Sequence, residues 1–79
     1  APKTRYVGTK LFAPDAIASQ FSNVLQEVIQ QLQSVDGAQV EVRIDIAATA
    51  PDGFDEAKIR MVKENGTTLK FQDNEFYAD

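Results

Sequence analysis

The sequence predicts a two-layer α+β domain of order β-α-β-α-β, with a three-stranded sheet and two helices packed on one of its faces. Three observations lead there. Residues 39–49 (QVEVRIDIAAT) alternate apolar and polar side chains, residues 14–35 repeat apolar positions at steps of three and four, and turn signals separate the apolar segments. In a strand, successive side chains point to opposite faces. Val40, Val42, Ile44 and Ile46 therefore share one side of residues 39–49, and Glu41, Arg43 and Asp45 the other. A strand covered on both faces would read as a nearly continuous apolar run, so this alternation places the helices on one side only.

A chain of 79 residues has room for one small domain, and 43% hydrophobic with 25% charged residues is a globular composition. A core this small leaves roughly 3–5 kcal/mol of net stability, so such domains often rely on disulfides, metals or a partner surface. With no cysteine and no histidine, disulfides are impossible and the usual zinc and copper ligands are missing. The net charge of −4 argues against a general phosphate-backbone binder, and the eight basic residues are spread from Lys3 to Lys70. No apolar run approaches the ~20 residues needed to span a bilayer. The opening Ala-Pro, without an initiator Met, is read as the start of a processed protein or of a domain within a longer cytoplasmic one.

Residues 5–12 (RYVGTKLF) form the first predicted strand, rich in β-branched and aromatic residues. Its inward face is either Val7, Thr9 and Leu11 or Tyr6, Gly8, Lys10 and Phe12, and Gly8 marks a bulge or the close approach of another backbone. Pro14 suits the first turn of a helix, with Asp15 at its positive dipole end. Ile17, Phe21, Val24, Val28, Leu32 and Val35 then draw one apolar stripe, widened by Leu25 and Ile29, over about six turns. The opposite, glutamine-rich side is read as a solvated face. Gly37 ends the helix, because glycine readily takes the left-handed conformation there.

After the central strand, Ala50-Pro51-Asp52-Gly53 is a turn: proline presets φ and glycine supplies a positive one. Asp55 caps a second helix over residues 56–64, with Phe54 and Ile59 placed to form a hydrophobic staple and Asn65-Gly66 as the stop. Residues 67–71 (TTLKF) form a short third strand of undetermined direction. Phe76 and Tyr77, in the tail at 72–79, either fold back or dock elsewhere.

The inventory of chemistry is short. No triad, HExxH, CxxC, GxSxG or Walker A pattern is present. Glu41 and Asp45 share a strand face with Arg43 between them, but an acid/base pair needs a cleft, and a salt-bridged wet face is the simpler account. Asp52, Asp55 and Glu56 lack the spacing of a calcium loop and are read as turn and cap residues. No catalytic, cofactor-binding or metal residue is assigned.

The block 50–54 (APDGF), then 59–65 (IRMVKEN), then 68–71 (TLKF), resembles the C-terminal end of a family of large bacterial P-loop ATPase-like proteins catalogued as domain of unknown function number 499. Arg5-Tyr6-Val7-Gly8 is similar to the opening of the same region, so the resemblance covers residues 5–76. Ala13, Asp55 and Lys10 depart from the family pattern, which bears on caps and edges rather than on the fold. The resemblance implies a non-catalytic accessory domain of an AAA-like protein, with ATP and Mg confined to an upstream domain. Its partner would be the rest of that protein or another protein; nucleic acid would be reached only through the parent, and no membrane is implied. Glu41, Arg43, Asp45, Phe76 and Tyr77 are the expected interaction surface. The alternative is a nucleic-acid-contacting module of a DNA-related, defence-type ATPase, with Arg5, Lys10, Arg43, Lys63 and Lys70 converging beside Tyr6. A free-standing enzyme is the weakest reading.

Overall fold

A computed structural model describes residues 1–78. The described residues contain helices, turns and irregular segments, and no strand. The predicted three-stranded sheet is therefore overturned. The chain divides into two compact units, Ala1–Arg43 and the part from Ile44 onward.

The first unit is built on one continuous helix. It runs as α1 (Ile17–Val24), a π-helical turn (Leu25–Ile29) and α2 (Gln30–Gln33). The periodic apolar stripe explains why this segment is helical: Phe21, Val24, Leu25, Val28 and Leu32 are half-buried and Ile29 is buried. The start comes later than predicted. Pro14 and Asp15 lie in a turn closed by the Ala16 N–H on the Ala13 carbonyl, and Ala16 is the N-cap without a side-chain bond. Gln20 compensates by reaching back, its Oε1 accepting from the Ala13 N–H at 3.0 Å. At the other end the helix stops at Gln33 with Ser34 as C-cap, short of the predicted stop at Gly37. Gly37, at φ +78, belongs to a following turn closed by the Ala38 N–H on the Val35 carbonyl, and Val35 falls outside the helix. The π-helical turn had no signal in the sequence; there the Gln30 N–H bonds to the Leu25 carbonyl, five residues back.

The predicted first strand, residues 5–12, is irregular and exposed, with Val7 at 70% and Leu11 at 94%. Phe12 is its anchor, its ring centroid 6.3 Å from that of Phe21 on the helix. What lies over Gly8 is the Tyr6 ring of the same segment rather than another backbone.

The second unit is built on α3 (Glu56–Thr68). The Pro51-Asp52 turn closes with the Gly53 N–H on the Ala50 carbonyl, and Gly53 has φ +84. Asp55 caps the helix as predicted: its Oδ1 accepts from the Lys58 N–H at 2.7 Å. The stop at Asn65-Gly66 and the third strand at 67–71 are corrected. The helix runs through both residues, and the bonds of its end are those of a Schellman motif. The Phe71 N–H meets the Gly66 carbonyl at 2.9 Å and the Lys70 N–H the Thr67 carbonyl at 3.0 Å. Lys70 takes the left-handed position usually given to glycine, with φ +65. TTLKF has thus become the last turn and cap of a helix, and a candidate edge of the predicted sheet is used up.

Candidate functional site

Residues 39–49 keep the alternation that marks a one-sided strand, yet they are irregular. Val40 is half-buried, while Val42, Ile44 and Ile46 are 53%, 66% and 72% exposed. No backbone hydrogen bond joins this stretch to another described residue. The physical reason is that a strand has no local way to satisfy its N–H and C=O groups. With 67–71 drawn into α3 and 5–12 irregular, neither predicted neighbour offers a ladder.

On the polar side, Arg43 Nη2 lies 3.7 Å from Glu41 Oε1, with both side chains largely exposed. Such a pair is worth at most about 1 kcal/mol and leaves the surface wet. Asp45 is exposed. Glu41 and Arg43 are thus brought together at one end of the expected surface; no ion pair joins Asp45 to another described residue.

The two tail aromatics separate. Phe76 folds back: its ring meets Phe54 edge-on, centroids 5.2 Å apart at 71°. Asn74 and Glu75 hold the same return. Asn74 Nδ2 donates to the Lys63 carbonyl at 2.8 Å, and Glu75 accepts from Lys63 Nζ at 3.2 Å. Gly66 makes room for this strap, since a Cβ added there would collide with the Asn74 amide. Gly66, predicted to stop the helix, lies inside α3, and its missing Cβ admits Asn74. Tyr77 stays 85% exposed.

The remaining hollows are shallow. One lies along the helix of the first unit between Lys10, Gln20 and Glu27, floored by Val24 and Val28. The other, by Thr67 and Thr68, has its hydroxyls already bonded to the Lys63 and Glu64 carbonyls. Lys10 lies 5.8 Å from the Phe12 ring centroid. With Arg43 on Glu41 and Lys63 on Glu75, two of the five cations expected to converge on nucleic acid already have acidic neighbours. Asp55 is spent on its helix cap, and among the described residues no group of acidic side chains is arranged to hold a metal. No helix among them is long and apolar enough to cross a membrane.

Comparison with protein-family models, curated proteins and solved structures finds no match to this chain.

Proposed function

We infer that this chain is a non-catalytic interaction domain whose docking element is residues 39–49. One observation carries the reading: Val42, Ile44 and Ile46 form an alternating apolar row that is more than half exposed and lacks backbone partners. Exposed β-branched residues in strict alternation are costly in isolation and match the edge of a sheet supplied from outside. The resemblance over residues 5–76 supports the finer statement, an accessory domain at the C-terminal end of a larger, cytoplasmic, ATPase-like protein. There ATP and Mg would belong to an upstream domain.

Two experiments test the two levels. Replacing Ile44 and Ile46 with lysine in the full-length protein is expected to abolish its assembly while leaving α3 folded; unchanged assembly contradicts the docking element. Sequencing the encoding reading frame is expected to show a Walker A motif upstream, and its absence overturns the ATPase placement alone.

A further inference from the structure

We propose that residues 39–49 pair with the same residues of a second copy of this chain, antiparallel and centred on Ile44. The proposal rests on the reading of this stretch as a docking element and names its partner.

Backbone availability comes first. No residue from 39 to 49 has a positive φ, and none is engaged in a backbone hydrogen bond among the described residues, so the stretch can enter a ladder without being unmade elsewhere. Its ends are fixed by turns. Gly37 and the Ala38 bond to Val35 close one side, and the Gly53 bond to Ala50 closes the other.

The order of charges then selects the partner and the register. Residues directly opposite in an antiparallel pair share a face and interact, favourably when of opposite charge and unfavourably when alike. Centred on Ile44, Gln39 faces Thr49, Val42 faces Ile46, and Ile44 faces itself. On the polar face Arg43 meets Asp45 of the second copy, and Asp45 meets Arg43, while Glu41 meets Ala47. The pattern is self-complementary. Centring on Arg43 instead would set Arg43 against itself and Glu41 against Asp45. Parallel in-register pairing would stack Glu41, Arg43 and Asp45 each on its own kind. Centring on Val42 would pair Glu41 with Arg43 but carry Ile46 against Ala38, into the turn at Gly37. The Ile44 register alone among these pairs the whole stretch and opposes unlike charges. A two-stranded ribbon is marginal without an apolar layer, and the exposed row Val42, Ile44 and Ile46, doubled by the second copy, supplies the apolar face of one.

Sedimentation equilibrium of the chain from about 1 μM to about 1 mM tests this. The expected mass rises from 8.7 kDa toward about 17 kDa. Arg43→Asp and Asp45→Arg each place like charges opposite one another twice, and each is expected to weaken association about tenfold. The double variant Arg43→Asp/Asp45→Arg restores the pairing and with it the affinity. Both side chains are exposed, so neither substitution threatens the helices. A monomer at every concentration overturns the proposal, and weakening without rescue by the double variant overturns the register. The docking reading is tested apart from this. If the chain is monomeric yet Ile44→Lys/Ile46→Lys still abolishes assembly of the longer protein, only self-pairing fails.

Discussion

Residues 65–71 and residues 39–49 meet the same backbone requirement in opposite ways. In the first, the N–H groups of Leu69, Lys70 and Phe71 reach carbonyls three to five residues back, at Asn65, Thr67 and Gly66, so the segment closes on itself. In the second, no described backbone partner exists, and the apolar row from Val42 to Ile46 is left exposed. A helix end needs only its own chain; a strand needs a neighbour that something else must position. The difference teaches where this chain is self-sufficient. The helix α3 closes its own end with its cap and strap, whereas the central stretch has no backbone partner among the described residues.

The largest predicted effect tests how little each unit can lose. Ile29 is the one buried apolar side chain among the described residues, and it sits at the end of the π-helical turn. Ile29→Ala is expected to cost about 2 kcal/mol, the low end for such truncations because the surroundings are sparse. Circular dichroism should show loss of helix from the first unit while the α3 amides keep their protection.

The tail gives the next contrast. Phe76→Ala removes the edge-on ring pair with Phe54 and half-buried apolar area, at an expected cost of about 1–2 kcal/mol to the second unit. Tyr77→Ala, at an exposed position, should change stability by less than about 0.5 kcal/mol. Chemical denaturation of both variants checks the pair, and equal effects would contradict the fold-back of Phe76.

Lys70 sharpens the account of the helix end. A lysine at φ +65 is strained where glycine is not, so Lys70→Gly should stabilise α3 by about 1 kcal/mol. Were residues 67–71 a strand, the same substitution would destabilise, so the sign of the change in denaturation midpoint decides.

The smallest effect lies in a double-mutant cycle. Gly66→Ala gains helix propensity, up to about 1 kcal/mol, but its Cβ displaces the Asn74 amide from the Lys63 carbonyl. Alone the substitution should be near neutral. In an Asn74→Ala background, where the strap is already gone, it should stabilise.

Much of the local grammar was legible in the sequence. The amphipathic helix, the turn at Gly53 and the Asp55 cap all rest on interactions within a few residues, and they are present, although the helix ends at Gln33 rather than at Gly37. The failures share one cause. At Asn65-Gly66 the stop signal was overridden, because Gly66 serves a close approach by Asn74 and the left-handed residue is Lys70, four positions on. That shift removed the third strand. The first and central strands then had no ladder, since alternation in residues 39–49 specifies which face is buried but not what buries it. Within the expected interaction surface, Glu41 beside Arg43 follows from their spacing. The separation of Phe76 from Tyr77 depends on Phe54, far away in sequence, and no local pattern announced it.

The central claim is that residues 39–49 have no backbone partner among the described residues. Amide hydrogen exchange on the chain at high dilution tests this most directly. The account predicts that the amides of residues 39–49 exchange at nearly unprotected rates while those from Ile59 to Phe71 are slowed by α3 and its cap. Alternating protection along residues 39–49 in the dilute chain would reveal an intramolecular sheet and contradict it.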